Sequence, residues 1–348
     1  MFCIKTCAIL FTVCWLLSAC REKNSSPDPE IYSLPVPAHF PQPAFDTENP
    51  ITKKGIELGR RLFYDVRLSG NNKISCATCH NQSMAFTDGM ALSNTGVPAT
   101  SLLRHTPSLI NLAWANNGLF WDGGSTNLES QAFGPLTAHD EMNQNLYELV
   151  EELHATPDYP ADFRAAFGGE ITSQNVVKAL AQFQRTLISA DSEYDRYKLG
   201  DPGILSALEL RGMALVKEKC QGCHSGELFT DNGYHNNGID AAFTNPDHEG
   251  LYFGRYRISY DLTDLGKFKT PTLRNISLTA PYMHDGRFAT LKEVIDHYSE
   301  GIKNSETLDL LLPAGGFKLS EDEKTAIISF LNTLSDQSFI TNPSFQSP

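Results

Sequence analysis

The chain has 348 residues, of which 41% are hydrophobic and 20% are charged, a composition that excludes an intrinsically disordered protein. The formal net charge of −13, from 41 acidic and 28 basic residues, argues against a nucleic-acid-binding function based on phosphate contacts. After the first 20 residues no apolar run is long enough to span a bilayer. The length then suits a globular protein with two domains of ordinary size.

The first 19 residues predict a secretory signal peptide, because Lys5 precedes an apolar run, Ala8 to Leu17, that ends in small residues. The sequence from Leu17 to Cys20 resembles a bacterial lipobox, in which Cys20 is lipidated and becomes the mature N-terminus. The alternative is an ordinary signal peptide with a chance cysteine. Residues 20–50 are rich in Pro, Ser, Asn and Asp, which predicts a flexible tether. We therefore expect a lipoprotein of the cell envelope that faces the periplasm and is attached to a membrane only by its lipid.

The cysteines of the folded part form two C-x-x-C-H pentapeptides, after the three in the predicted signal peptide and Cys20 are set aside. This spacing is typical of c-type haem attachment, in which two thiols form thioethers to the haem and the adjacent histidine binds the iron. A zinc site or a redox dithiol would leave both histidines unexplained. We therefore predict two covalently bound haem c groups, and the residues that hold them are Cys76, Cys79, His80, Cys220, Cys223 and His224.

The segments around the two pentapeptides resemble each other, which indicates an internal duplication. Similar sequences precede them, at 57–63 and 209–215, and Phe-Thr-Asp follows both, at 86–88 and 229–231. Each unit predicts a helix, a haem loop and an extended segment. Apolar residues at helical spacing predict further helices at 146–154, 174–189, 291–298 and 320–334. The predicted fold is mainly α-helical with little strand and long loops, in two cytochrome c-like domains at 51–195 and 196–340.

From about Ile51 to Leu334 the chain resembles the bacterial di-haem cytochrome c peroxidase family, which includes the MauG-type enzymes. Four segments carry the resemblance: Leu58–Asp65, Phe120–Gly123, Phe268–Asn275 and Ala280–Gly286. The resemblance implies that the haem bound through His80 is the peroxide site. The haem bound through His224 would then be the electron-transfer haem.

The resemblance also implies a peroxide pocket made of Trp121, Gln131, Pro135 and Glu141. Trp121 matches a tryptophan between the two haems, and Glu141 matches the carboxylate that moves protons during cleavage of the O–O bond. Gln131 would orient peroxide by hydrogen bonds. Without the resemblance, Glu141 would be interpreted as a solvated loop acid, Gln131 as a surface helix residue and Trp121 as a core residue.

The distal ligand of the second haem distinguishes the subtypes of this family. Counting along the segment predicts Tyr298, as in MauG-type enzymes, where other members place a methionine. A phenolate stabilises ferric iron, whereas a thioether favours the ferrous state. The competing ligand is Met283, and His297 is the next alternative. Because Met283 falls in a turn motif that members share whichever ligand they use, we favour Tyr298.

This chain departs from the family's pattern in two further places. Residues 91–98 contain no histidine that could cap the first haem, so we expect an open iron site that needs no reductive rearrangement. The nearest candidate, His105, is interpreted as a structural histidine, although it stands where the family often has a calcium-binding asparagine. The carbonyls of Thr279 and Pro281 match the other calcium ligands, so a calcium ion is expected with an incomplete ligand set.

Three functions follow from these residues. The first is a peroxidase that reduces hydrogen peroxide to water with electrons from a small cytochrome c or cupredoxin. The second is a MauG-like oxidase that uses peroxide to oxidise a side chain of a partner protein, which Tyr298 favours. The third, a non-catalytic di-haem electron carrier, is disfavoured by Gln131 and Glu141. The resemblance puts the peroxidase first, and it also implies a homodimer because the family is often dimeric.

Overall fold

The computed structural model describes residues 30–44, 47–244 and 249–348, so the predicted signal peptide and Cys20 lie outside the described residues. Helices dominate: α1 Lys53–Phe63, α2 Cys76–Cys79, α3 Leu128–Thr137, α4 Leu146–Ala155, α5 Tyr159–Phe167, α6 Ser173–Arg185, α7 Glu193–Lys198, α8 Ala207–Lys219, α9 Glu249–Tyr252, α10 Tyr256–Ser259, α11 Leu291–Asp296, α12 Glu321–Asn332 and α13 Gln337–Thr341. The described strands are one short antiparallel pair, β1 Tyr234–His235 and β2 Phe268–Lys269. Within these described ranges no helix is long and apolar enough to cross a bilayer. The mainly helical prediction is confirmed.

The helix starts follow from local capping chemistry. The side chain of Thr52 accepts a hydrogen bond from the amide of Gly55 at the start of α1. Ser206 with Glu209, and Ser320 with Glu323, form capping boxes that begin α8 and α12. The predicted helices are all present. Two end early: the helix predicted to reach residue 189 stops at Arg185, and the one predicted to reach 334 stops at Asn332. The helix predicted to reach 298 continues past Asp296 as a π-helical turn, His297–Gly301.

The internal duplication is visible in how the helices pack. In each domain the first long helix crosses the last one, α1 over α6 and α8 over α12. A Cβ atom added at Gly59 would lie 2.0 Å from the carbonyl oxygen of Ala179, and one at Gly212 would lie 1.9 Å from that of Ala326. Both glycines are therefore required by the same close approach of two helix backbones. The two domains have separate apolar cores, centred on these helix pairs.

The domain boundaries differ from the predicted ones in two places. Tyr194, which was assigned to the first domain, packs in the core of the second. After α12 the chain returns to the first domain, where Phe339 and Phe345 join that domain's core. The side-chain amide of Gln82 donates to the carbonyl of Phe339 at 3.1 Å, which holds this C-terminal segment against the first domain. Residues 337–345 therefore connect the two domains rather than complete the second.

The prediction of a flexible tether is wrong for the part of residues 20–50 that the structure describes. Leu34 and Phe40 are buried, and Ile31 forms an isolated antiparallel bridge with Thr52. His39 hydrogen-bonds Asp195 at 2.8 Å, and Phe40 lies under the guanidinium of Arg274. The polar composition suggested a linker, but its few apolar side chains are enough to anchor it across both domains.

Substitution of Gly212 by alanine tests the close packing of α8 on α12. Helix propensity alone would make the alanine variant more stable by about 1 kcal/mol. The contact with the carbonyl of Ala326 reverses the sign, and we expect a loss of about 1–3 kcal/mol in the free energy of unfolding. Denaturant unfolding measures it. Gly203→Ala is the control, because a Cβ there meets only a side-chain oxygen at 3.9 Å, and equal stability of both variants would contradict the packing argument.

Candidate functional site: two haem-binding loops and the cavity between them

Both pentapeptides fold into the same helical turn. The amide of His80 donates to the carbonyl of Cys76, and the amide of His224 donates to that of Cys220, each at 2.9 Å. In the first domain this turn is α2; in the second it follows directly from α8, whose last residue is Lys219. One turn of helix thus sets two thiols and one imidazole at the spacing that covalent haem attachment requires.

The two imidazoles are held by matching hydrogen bonds. The Nδ1 atom of His80 lies 2.8 Å from the carbonyl oxygen of Phe86, and that of His224 lies 3.1 Å from the carbonyl oxygen of Phe229. Since a carbonyl only accepts, Nδ1 carries the proton and the lone pair is on Nε2. Burial lowers the pKa of both rings, which keeps them neutral. A neutral imidazole with a free Nε2 is the form that binds iron, so both sites fit a haem.

The cysteines do not fit the competing interpretations. All four are free of disulfide bonds. Burial raises the pKa of Cys76 to about 12 and that of Cys220 to about 11, so neither is the activated thiolate of a redox dithiol. Among the residues that the structure describes, no group of three or more His, Cys, Asp or Glu side chains could hold a metal ion, which excludes a zinc site built from both pairs.

Glu141 lies at the first haem-binding loop. Burial, with a smaller contribution from Asp140, raises the pKa of Glu141 to about 7. Its backbone carbonyl accepts from the amide of Val97, in the loop where the hydroxyl of Thr95 lies 2.9 Å from the sulfur of Cys79. A half-buried carboxyl whose pKa lies near neutrality can both take up and release a proton. Glu141 is thus not a solvated loop acid.

Gln131 and Pro135 lie on α3, one helical turn apart, so they share a face of the helix. The chain after α3 folds back on it, with the amide of Met142 donating to the carbonyl of Pro135 at 3.0 Å. This return brings Glu141 next to the helix that carries Gln131. Pro135 has no N–H group for the carbonyl of Gln131, so α3 has one backbone hydrogen bond fewer at this turn.

A cavity of about 330 Å³ connects the two domains. Gln131 and Trp121 line its first-domain side, and Cys220, Cys223 and His224 line its second-domain side. Trp121 therefore lies in a cavity that reaches the second haem-binding loop, and its position between the two haems stays a prediction from the resemblance.

Residues of both domains hold Trp121 in position. Its indole N–H donates to the carbonyl of His105 at 2.8 Å, and its own carbonyl accepts from the amide of Lys269 at 2.7 Å. The next residue, Asp122, is buried and binds the guanidinium groups of Arg104 and Arg257. The indole is thus fixed in position by residues of both domains.

The structure brings together both candidate ligands of the second haem. Tyr298 and Met283 line the same cavity as His224. The side-chain amide of Asn237 lies 3.3 Å from the sulfur of Met283 and 3.4 Å from the phenol oxygen of Tyr298. Burial raises the pKa of Tyr298 to about 12, and the hydrogen bond from Asn237 acts in the opposite direction.

The loop 91–98 covers the first haem-binding loop without contributing a histidine. The hydroxyl of Thr95 lies 2.9 Å from the sulfur of Cys79, and the amide of Val97 donates to the carbonyl of Glu141 at 2.7 Å. The loop is therefore bound to the first haem-binding loop and to Glu141.

His105 is buried among backbone groups of both domains. Its Nδ1 atom lies 2.6 Å from the carbonyl oxygen of Met90, and its backbone amide donates to the carbonyl of His284 at 2.8 Å. The ring also interacts with the carbonyl of Thr279, one of the two expected calcium ligands. These contacts agree with its interpretation as a structural histidine.

Sequence reasoning missed four groups at these sites. The carbonyls of Phe86 and Phe229 hold the two histidines, and the repeated Phe-Thr-Asp sequence could have indicated them. Asn237 stands in an irregular segment with no periodic pattern, so no signal pointed to it. His235 lies between Asp309, at 2.6 Å, and Asp231, at 2.8 Å. Because carboxylates only accept, both of its ring nitrogens donate, which makes it a cation beside the second haem-binding loop.

Comparisons with known proteins agree with this site. The family model described as di-haem cytochrome c peroxidase matches residues 53–203. The methylamine utilization protein MauG of Methylorubrum extorquens is 40% identical over 290 residues, which cover 82% of this chain and 79% of that protein. The cytochrome c551 peroxidase of Nitrosomonas europaea is 34% identical over 295 residues, 84% of this chain and 82% of its own.

A solved structure shows the same architecture. The crystal structure of a MauG-like protein associated with microbial copper homeostasis aligns with a TM-score of 0.83 and 36% identity. The alignment covers 91% of this chain and 99% of that one. The two haem c groups, the oxidoreductase class and the helical fold predicted from the sequence are thereby confirmed. The chain belongs to the di-haem cytochrome c peroxidase family.

Proposed function

We propose that this protein reduces hydrogen peroxide at the haem held by Cys76, Cys79 and His80, with electrons that a small redox protein delivers through the second haem. The observation that carries this proposal is Glu141, a half-buried carboxyl at the first haem-binding loop whose pKa desolvation raises to about 7. A non-catalytic electron carrier has no use for such a group, because electron transfer alone needs no proton donor.

The residues divide the work of the reaction. Reduction of hydrogen peroxide takes up two electrons and two protons and yields two molecules of water. When bound, the haem iron supplies the redox chemistry of O–O cleavage. Glu141 takes a proton from one peroxide oxygen and returns it to the leaving oxygen, while Gln131 orients peroxide by a hydrogen bond. Trp121, fixed in the cavity beside the second haem-binding loop, supplies an aromatic group on the electron path.

Replacement of Glu141 by glutamine tests the proton-transfer role. We expect kcat to fall by about 10²- to 10⁴-fold, the usual contribution of general acid–base catalysis. Glu141 must be deprotonated to accept the peroxide proton, so kcat/KM of the unaltered protein should fall as the pH drops below about 7. This acid limb should be absent in Glu141→Gln. The control is Asp140→Asn, which removes the exposed neighbouring acid, and a Glu141→Gln enzyme with full activity would refute the role.

Turnover with defined donors tests the function as a whole. We expect the haem-loaded protein to oxidise a reduced small cytochrome c or a reduced cupredoxin when hydrogen peroxide is added, in the ratio of two one-electron donors per peroxide. The rate should be lost with Glu141→Gln while the haem content stays the same. Failure of every soluble donor would overturn the peroxidase proposal.

The MauG-like alternative has a specific observation in its favour. The phenol of Tyr298 reaches the second haem pocket, and a relative named MauG is 40% identical to this chain. Such an enzyme would oxidise an aromatic side chain of a partner protein instead of a small electron donor. Peroxide consumption that depends on a protein substrate, with no turnover of soluble donors, would support it.

We also propose that Cys20 anchors the protein to a membrane of the cell envelope, with the folded part facing the periplasm. The lipobox-like sequence before Cys20 and the two haem c groups support this location. Cys20→Ser should move the protein from the membrane fraction to the soluble envelope fraction, detected by fractionation and blotting. Unchanged membrane association of the variant would contradict the anchor.

We also propose a calcium site at the cavity between the domains. Thr279 and Pro281 line the cavity between the domains, and their carbonyls are the proposed calcium ligands. His105 lies beside the carbonyl of Thr279, and a nitrogen ligand suits calcium poorly, so we expect weak binding. Metal analysis before and after treatment with EDTA tests the site.

The homodimer stays a prediction that sedimentation of the haem-loaded protein can test.

A further inference from the structure

Asn237 is the polar side chain that meets both candidate ligands of the second haem. It lies two residues after β1 and lines the same cavity as His224. An asparagine side chain carries two N–H donors on one nitrogen. One can therefore donate to the sulfur of Met283 at 3.3 Å while the other donates to the phenol oxygen of Tyr298 at 3.4 Å.

The segment that carries Asn237 is fixed by its neighbour. Asn236 is buried, and its side-chain amide donates to the hydroxyls of Ser305, at 3.0 Å, and Thr307, at 2.9 Å. Its side-chain oxygen accepts from the amide of Gly238 at 3.0 Å. Three hydrogen bonds therefore hold the chain on either side of Asn237, so its amide has a defined position.

Asn237 is also tied to the turn that presents Tyr298. The Nε2 atom of His297 lies 3.0 Å from the carbonyl oxygen of Asn237. His297 and Tyr298 begin the π-helical turn, and the carbonyl of Tyr298 accepts from the amide of Phe317 at 2.9 Å. π-helical turns change the direction of a side chain and are frequent at functional sites. Asn237 and Tyr298 thus form one connected unit, whereas Met283 belongs to a separate turn.

The two hydrogen bonds act on ligand choice in the same direction. An N–H that points at the sulfur of Met283 engages one of its lone pairs and so competes with iron for this atom. An N–H that points at the oxygen of Tyr298 stabilises negative charge there, which is the form of a phenolate ligand. The first contact weakens the competitor and the second supports the favoured ligand.

We propose that Asn237 is a positioning residue that selects Tyr298 over Met283 as the distal ligand of the second haem. The inference rests on the proposed ligation of this haem and adds the residue that decides it. Selection by a nearby donor explains how the chain can keep a methionine in the pocket without using it. Because a thioether favours ferrous iron, this selection keeps the reduction potential of the second haem low.

Replacement of Asn237 by leucine tests this role in the haem-loaded protein. We expect the near-infrared charge-transfer bands of the ferric second haem to change from those of phenolate ligation to those of thioether ligation. The reduction potential of this haem should shift upward, as measured by spectroelectrochemical titration. Asn117→Leu is the matched control, since Asn117 donates to the carbonyl of Asn232 and touches neither ligand. Phenolate bands in Asn237→Leu would overturn the proposal.

Two more variants keep the test decisive. Asn237→Asp has nearly the same shape but no N–H donor, so it should show the same change if the leucine variant fails to bind haem. Asn237→Leu combined with Met283→Leu should retain the phenolate bands, because no thioether is left to compete. Thioether bands in this double variant would show that the new ligand is not Met283 and would also overturn the selection model.

Two measurements distinguish failure of this inference from failure of the proposed function. Tyr298→Phe should abolish the phenolate bands, and an unchanged spectrum would refute Tyr298 as the ligand and with it the selection by Asn237. Peroxide turnover, measured on the same samples, reports on the proposed function independently. A protein with phenolate bands and no turnover would refute the peroxidase function and leave the selection by Asn237 to be judged from the spectra.

Discussion

Each imidazole that would bind a haem iron is held by one hydrogen bond, from its Nδ1 atom to the carbonyl of a phenylalanine five or six residues further along the chain. That phenylalanine adopts a left-handed backbone conformation, with φ of 62° at Phe86 and 51° at Phe229. Such a conformation is costly for a bulky side chain and persists only where the surroundings impose it. Both aromatic rings belong to an apolar core, so core packing imposes the conformation and the carbonyl in turn fixes the histidine.

The helix pairs determine where these cores form. Gly59 and Gly212 allow two helix backbones to approach more closely than any other residue would permit. The same arrangement in both domains puts each C-x-x-C-H turn at an equivalent place. Residues outside the duplication then join the two halves. His39 and Phe40 bind the second domain from the N-terminal side, and Phe339 packs in the first domain from the C-terminal side.

The differences between the two haem sites produce the function. At the first site a half-buried carboxyl, Glu141, has a pKa that desolvation raises to about 7. At the second site the side chain of Asn237 contacts both candidate iron ligands, Tyr298 and Met283. Two copies of one motif thus acquire different roles through the side chains on the distal side. Trp121, anchored by His105 and Lys269, lies in the cavity that reaches the second haem-binding loop.

The sequence by itself determined the cofactor, the helical fold and the family, because covalent haem attachment demands a contiguous motif and helices need a periodic pattern. It also indicated Glu141 and Tyr298, but only through resemblance. The tertiary structure decided what depends on contacts between distant residues: the burial of Glu141, the packing of residues 30–44, the return of Phe339 to the first domain and the position of Asn237. Asn237 is 46 residues from Met283 and 61 from Tyr298 along the chain, and no local pattern can signal a meeting over such separations.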